Sequence, residues 1–548
     1  MQVGTSLSHR APLLWLALPF AGGIAIAHAT ASPVPIPAVA AGCLVLLAVA
    51  GLLLRTRQRR SSLVAVAVAI AGLGMIHHET HRARLPDWDR LPQREAELIV
   101  EVKRIFNTRV LERPLSVIGM IRSADPHLSD LIGQSLYVQA WRYHDPTAVE
   151  RGATIRIRGH LTPLPRAARG DGFNAYLIDA GINFRLTRGR LLEVVNGGSG
   201  YAVWRQRIKT VAMRQLARDL EAHPDLVGAL QAMLLGDRTG LDEEDKSVFL
   251  RSGTMHLFAI SGLHIGVIAV ALHGALRLMR LPPGQTFVIS TLLLAVYVDL
   301  VGGTPSAVRA WLMVTCVHAS VALRAPGNAV AAIGGSMLLV LLLDPLQLFS
   351  AGFQMSYGIV FALLLYGLPL GEHLQSRIRP WRDLPETTLT GRQKFARRRL
   401  EGLIMAGALG WAAMMVGLIS GVAIFGWFTP IAFVANLALM PMASLAILGG
   451  LIAMISGGLG LIPLALLGNH AAALVLLIVN ALLGHAVAWP IASTAASFRH
   501  PAWGEFGLVA MLAIITIGYV QGWPSRPRSW WWPPIALVLV LVTGMRLG

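Results

Sequence analysis

The feature that most constrains this chain is a series of apolar runs, each close to twenty residues and almost free of charge. Three come first, at about 11–30, 34–54 and 62–77, and others follow from residue 254 onward. A bilayer hydrocarbon core of ~30 Å is crossed by ~20 apolar residues in a helix. Only 14% of the residues are charged and 54% are hydrophobic, whereas a typical soluble domain is ~25% charged. The composition excludes a single large soluble enzyme and a disordered chain, which would lack this apolar content. It predicts a polytopic α-helical membrane protein of about 12–14 transmembrane or re-entrant helices, with one soluble insert. Ala27-His28-Ala29 resembles a signal-peptidase site. The apolar run at 34–54 follows almost at once, so the first run reads as a retained membrane helix, with a cleaved signal peptide as the minor alternative.

Basic loops set the expected orientation. Arg55, Arg57, Arg59 and Arg60 lie between the second and third runs, and positive loops stay in the cytoplasm. The N-terminus is then inside and residue 78 emerges on the outer face. Spans expected at 254–276, 284–302, 305–323, 327–343, 351–371 and 402–427 return the chain inside at Arg277, at Arg324 and at the Arg-rich 372–401 loop. The last part is less regular. Runs at 429–447, 450–467, 471–495, 504–521 and 531–546 would leave Arg526 and Arg528 outside if all five crossed. A re-entrant or broken helix in the first two restores the count, and Pro430, Asn436 and Pro441 fall there. Irregular backbone at that depth must be buried in protein or line a wet cavity.

Residues 78–200 differ in character. Short segments at 97–102, 115–121, 135–141, 154–158 and 182–185 alternate apolar and polar residues with β-branched side chains, a pattern of half-buried strands. Five short strands suit a small β-barrel, with the OB-fold as one candidate. The segment holds 18 Lys+Arg against 14 Asp+Glu, so it is mildly basic. Residues 201–222 read as a basic amphipathic helix, interfacial or packed on the β domain, with Trp204, Ile208, Val211 and Leu216 on one face. The expected units are 1–77 (three membrane helices), 78–200 (outer-face OB-like domain), 201–252 (interfacial helices), 253–521 (channel bundle) and 522–548 (C-terminal apolar helix).

The densest unusual segment is LLGDRTGLDEEDKSVFLRSGTMHLFAISGLH at 234–264. Asp237 and Arg238 follow a plausible helix-ending Gly236, and an acidic turn occupies 242–245. His256, Ser261, Gly262 and His264 enter the next span. Arg309 lies one turn into a span, where a cation needs water or a partner. Gln354, Ser356 and Asn436 are polar positions in later spans. Each also has a plain structural reading, as a hydrogen bond between helices or a site of close packing. No G-x-x-x-x-G-K-[ST], G-x-S-x-G or HExxH stretch occurs. The His77/His81 pair lacks a further evident ligand. Cys43 and Cys316 sit in apolar stretches, so neither a disulfide framework nor a zinc site is expected. Nearly all basic residues are Arg. That suits phosphate recognition, and genome composition together with cytoplasmic arginines would give the same bias.

LLGDRTGL followed by HLFAISGLHIGVI resembles the core signature of the ComEC family, the inner-membrane DNA channels of natural transformation. TPSAVRAWLM (304–313), DP (344–345), SAGFQMSYGIV (350–360), TPIAFVANLALMPMA (429–443) and GDGFNAYLIDAGI (170–182) extend the resemblance. It covers most of residues 12–500 and is strongest at 234–360. The resemblance implies passage of one DNA strand across the bacterial cytoplasmic membrane. It also implies DNA-delivery proteins outside and a helicase or strand-binding protein inside. The family often carries a C-terminal metallo-β-lactamase-like domain. No H-x-H-x-D-H stretch occurs here, so nuclease activity is not expected of this sequence, and either a separate nuclease degrades the other strand or the incoming DNA is already single-stranded.

The expected path residues are Asp237, Arg238, His256, Ser261, Gly262, His264, Arg309, Gln354, Ser356 and Asn436, in non-catalytic roles with no cofactor or metal. Asp237 and Asp344 are expected to pair with Arg238 or Arg309. The barrel offers aromatic residues, as single-strand binders do, and the expected DNA contacts there are Trp141, Arg142, Tyr143, Arg156 and Arg158. The rival readings are a secondary transporter of a small anionic solute and an intramembrane enzyme acting on lipid or cell-wall precursors.

Overall fold

The first three apolar runs fold as α1 (Pro12–Ala29), α2 (Ile36–Arg55) and α3 (Arg59–Ala83). They belong to a computed structural model of the chain, which describes residues 11–30, 34–83, 91–107, 115–142, 149–164, 173–241, 249, 252–254, 257, 260–323, 328–381, 384–385, 387–487, 492–523 and 527–547. Small residues let α1 and α3 approach closely: a methyl added at Gly23 or Gly74 would run into the backbone of Ala71 or Phe20. α2 packs on α3 and leaves most of its apolar surface uncovered, as a lipid-facing helix does.

The insert is a closed five-stranded barrel of β1 (Arg94–Asn107), β2 (Leu115–Ala124), β3 (Ser135–Arg142), β4 (Thr154–Pro163) and β5 (Phe184–Asn196), ordered β1-β2-β3-β5-β4. All neighbours are antiparallel except β3 and β5. Each alternating segment of the sequence lies on one strand or runs into it, and the last continues to Asn196, well beyond residue 185, where its pattern ended. Alternate residues fill the interior, including Val100, Val138, Ile157 and Leu186. A short helix, α4 (Phe173–Asp179), sits between β4 and β5.

α5 (Gly200–Ala217) and α6 (Pro224–Leu235) form a hairpin that leads into the bundle. Trp204, Ile208 and Val211 of α5 remain exposed, while Leu216 is buried. The bundle continues with α7 (Gly262–Leu278), α8 (Pro283–Leu300), α9 (Pro305–Ala322), α10 (Ala329–Leu343), a 3-10 turn (Pro345–Phe349), α11 (Ala351–Arg377) and α12 (Gly391–Phe425). Then come β6 (Trp427–Phe428), α13 (Ala432–Gly458), α14 (Ile462–Val487), β7 (Thr494–Phe498), α15 (Pro501–Gln521), α16 (Trp532–Gly544) and β8 (Met545–Leu547). Among the described residues nine helices are long and apolar enough to cross a membrane: α1–α3, α8 and α11–α15. α6, α7 and α10 are shorter apolar helices. The protein is therefore a multi-pass membrane protein with a small barrel.

One expectation needs correction. The apolar runs at 429–447 and 450–467 do not form separate helices, because α13 runs unbroken from Ala432 to Gly458, with Pro441 inside it, and the remainder of the second run opens α14. Five runs thus make four helices. The antiparallel sheet β6-β7-β8 gathers residues 427–428, 494–498 and 545–547 at one end. Arg528, beyond the far end of α15, is away from that sheet, so the charge conflict disappears. The irregular backbone lies just before α13, where Gly426 has a positive φ and Asn436 is little more than one turn into the helix.

α11 contains a π turn at Leu363–Gly367 whose cause is in the sequence. Pro369 has no N–H to give the Leu365 carbonyl four residues earlier. The Trp523 indole N–H donates to that carbonyl instead, at 2.7 Å, and the Tyr366 hydroxyl donates to the Trp530 carbonyl at 2.9 Å. Trp523 stacks on Trp530, which stacks on His373. Trp523 and Trp530 therefore seal a backbone defect. Trp523→Phe should lower the melting temperature of the detergent-purified protein, since an orphaned buried carbonyl costs about 1–3 kcal/mol beyond the lost packing. In a Pro369→Ala background, which restores the N–H, thermal denaturation should show a smaller penalty.

Candidate functional site

Three helices that carry the most distinctive motifs begin side by side. α7 starts after Ser261, whose hydroxyl lies 2.9 Å from His264 Nδ1, and the Ser261 backbone N–H also donates to that nitrogen at 3.3 Å. This reciprocal cap closes the helix end, and His264 is 0% exposed. α9 starts at Pro305, and the Ser306 hydroxyl donates to the Ile260 carbonyl at 2.9 Å, fixing α9 against the entry to α7. One turn further, Arg309 Nη2 and Nε donate to the Ser356 hydroxyl of α11 at 3.2 and 3.4 Å. Gln354 steadies the approach to α11 by donating to the Leu348 carbonyl at 3.3 Å. Ser261, His264, Arg309, Gln354 and Ser356 are thus brought to one region. Gly262 opens α7 there with free space around its Cα.

The barrel supplies a second group. Phe106 (38% exposed), Phe173 (44%) and Tyr176 (39%) form an open aromatic cluster over buried Tyr137. Phe173 and Tyr176 stack with centroids 5.8 Å apart. Arg104 lies over the Phe106 ring at 4.8 Å and donates to the Tyr176 hydroxyl at 2.7 Å. α4, which carries Phe173 and Tyr176, packs on the 3-10 turn Pro345–Phe349 that leads into α11. Arg238 lies near Arg104: surrounding protein, then that like charge, push its guanidinium below its ordinary value.

A single carboxylate ties the two groups together. Asp299, at the end of α8, accepts from Arg151 Nη1 at 2.8 Å, from the Tyr201 hydroxyl at 2.9 Å and from Arg205 Nη1 at 3.2 Å. Arg205 Nη2 also donates to the Arg151 carbonyl at 2.6 Å. Arg151 belongs to the turn before β4 and the other two to α5. Burial and the Asp299 carboxylate push the Tyr201 hydroxyl up, so it stays a donor. Gly302 and Gly303 follow with positive φ, and a methyl on Gly303 would stand 3.2 Å from the Arg151 guanidinium. Sequence reasoning missed this latch, because an aspartate at a helix end is explained by snorkelling.

The remaining candidates are spread out. Asp237 pairs with Lys209 at 3.7 Å. Asp344 accepts from the Leu346 backbone N–H and from Gln347, both at 3.0 Å, and lies 3.9 Å from His81, so it is not the counter-ion of Arg309. Asn436 is partly buried with its side-chain oxygen unpaired. Arg156 pairs with Glu193 at 3.2 Å and Glu97 at 3.9 Å, and Arg158 with Glu95 at 2.9 Å. Their charges are neutralised on the barrel wall. Trp141 is exposed on β3, away from any aromatic partner among the described residues. Arg142 lies on β3, its side chain outside the described residues, as are Tyr143, His256 and the acidic turn 242–245. Among the described residues no group of three or more His, Cys, Asp or Glu could hold a metal.

This geometry defines a membrane bundle with a barrel latched over converging helix ends. Residues 233–524 match the family described as Competence protein, more than half of the 548-residue chain, and the chain belongs to that family, of the ComEC type. Over 142 residues, 26% of its length, it is 34% identical to ComE operon protein 3 of Bacillus subtilis (strain 168). Over 224 residues, 39% of its length, it is 29% identical to Competence protein ComA of Neisseria gonorrhoeae. The aligned parts span 18% and 32% of those relatives. No solved structure matches.

Asp299→Asn should loosen the barrel from the bundle. Hydrogen bonds to charged groups contribute about 1.5–3 kcal/mol, less where solvent screens them. Limited proteolysis should cut the barrel–α5 junction faster in this variant, with Tyr201→Phe showing a smaller effect.

Proposed function

We propose that this protein passes single-stranded DNA across the cytoplasmic membrane during competence. The carrying observation is the exposed Phe106–Phe173–Tyr176 cluster with Arg104 beside it. Single-strand binders combine aromatic faces, on which any base can stack, with cations that meet the backbone. A transporter of a small anionic solute needs no platform wide enough for several stacked bases. We read the barrel as OB-like, in keeping with its closed five-strand order, and place it on the outer face, because the arginine-rich loops belong inside. The strand enters over the aromatic cluster, passes Arg238 and the 3-10 turn, and meets the converging starts of α7, α9 and α11. His256 and Asn436 are further lining positions on this reading. Proteins that deliver DNA outside and a helicase or strand-binding protein inside complete the pathway. Nothing in the path requires a covalent step by this chain.

The test is entry of a labelled DNA fragment into native cells, with cytoplasmic and outer label counted separately. Stacking is worth about 1–3 kcal/mol per base, and 1.4 kcal/mol is tenfold. Phe173→Ala/Tyr176→Ala should therefore cut cytoplasmic label about tenfold or more at equal membrane abundance, with Arg104→Ala intermediate. Unchanged entry in the double variant would overturn the platform. Unchanged entry without the protein would remove the DNA reading and leave the small-anion transporter.

A further inference from the structure

Arg309 is 4% exposed, and among the described residues its one hydrogen-bond partner is the hydroxyl of Ser356. A guanidinium has five donors and a full charge, and Ser356 satisfies little of either. The two acidic residues at the ends of neighbouring helices are already committed, Asp299 to Arg151, Arg205 and Tyr201, and Asp344 to its own turn and His81. Among the described residues Arg309 makes no ion pair. The local backbone adds to the imbalance. Arg309 lies in the second turn of α9, and Gly352 and Ser356 lie in the first two turns of α11. Helix starts carry partial positive charge and attract anions, and here the early turns of two helices meet at one cation. A methyl on Gly352 would stand 2.9 Å from Arg309 Nη2, so the bare glycine leaves the guanidinium its room.

A buried charge without a counter-charge is unfavourable, and a neutral replacement of similar volume is often neutral or stabilising. We propose that Arg309, Ser356 and the starts of α9 and α11 form a binding notch for the phosphodiester oxygens of a DNA strand in transit. This rests on the strand-passage reading and assigns it a phosphate contact inside the bundle. A planar guanidinium suits two phosphate oxygens at once. Each phosphate leaving the notch is replaced by the next, so binding is repeated and brief.

The test uses the full chain in detergent and in cells. Thermal unfolding is followed for wild type, Arg309→Gln and Arg309→Lys, alone and with oligothymidylate, its methylphosphonate analogue with an uncharged backbone, or inorganic phosphate. Arg309→Gln should melt about 1–3 °C higher than wild type without ligand, and should lose most of the stabilisation that oligothymidylate gives. The methylphosphonate strand should stabilise wild type and Arg309→Gln equally. DNA entry should fall about tenfold or more in Arg309→Gln, less in Arg309→Lys, and Gly352→Ala should reduce entry with the charge intact. A lower melting temperature for Arg309→Gln, with entry tracking protein abundance, would make Arg309 a packing residue and overturn the notch. Equal stabilisation by inorganic phosphate through Arg309 would make the ligand a free anion and overturn the phosphodiester assignment. Loss of the oligothymidylate response in Arg309→Gln, together with DNA entry that does not need the protein, would leave the notch standing and remove the strand-passage reading.

Discussion

The architecture hangs on the Asp299 carboxylate. A barrel and a helical bundle joined only by linkers would take up many relative positions, and interfaces of this kind allow motion by default. Here one acceptor draws donors from the barrel turn through Arg151 and from α5 through Tyr201 and Arg205. Arg205 also bonds the Arg151 backbone, so the two arginines hold each other as well as the aspartate. The geometry works because α8 ends in two glycines with positive φ, which turn the chain away and leave room for Arg151. With the barrel fixed there, α4 rests on the turn before α11. The exposed aromatic cluster is held beside the bundle through a chain of ordinary contacts.

Helix starts are the second organising element. α9 opens with Pro305 and α7 with a Ser261–His264 cap, and Ser350 caps α11 by accepting from the Phe353 N–H. Proline at a first position and serine before it are the residues that begin helices cleanly. The motifs around them read as unusual in an apolar chain because each marks a helix that starts at the same level as its neighbours. The polar residues in these motifs then divide by role. Ser261, His264 and Ser306 satisfy backbone groups and one another. Among the described residues Arg309 donates to a side chain and to no backbone group, and that separates it from the rest.

Much of this was readable in the sequence, for definite reasons. Apolar runs locate membrane helices because a bilayer demands length and composition together. Alternation located the five strands because each has one buried face. The failures are equally specific. Arg156 and Arg158 looked like free cations because their partners, Glu95, Glu97 and Glu193, lie on neighbouring strands, and only the register reveals the directly opposed Arg156–Glu193 pair and the diagonal pairs with Glu95 and Glu97. Phe173 and Tyr176 join Phe106 through a seven-residue helix too short to announce itself by periodicity. The unbroken α13 was hidden because Pro441 suggests a break that a long helix, packed along its length, absorbs.

The distribution of charge on the barrel bears on how a strand would be held. Several of its wall cations are paired with glutamates, Arg122 and Lys103 with Glu101 and Arg158 with Glu95, so part of the positive charge is offset where the wall faces water. A strand would gain less from those positions by counterion release. Its grip would come from the aromatic cluster, which accepts any base, with Arg104 at the edge. A conducting path has to bind well enough to admit its cargo and loosely enough to release it. Stacking on the barrel and a contact at the buried Arg309 would meet both demands better than a continuous basic groove, because no position would hold more than a base or a phosphate at a time.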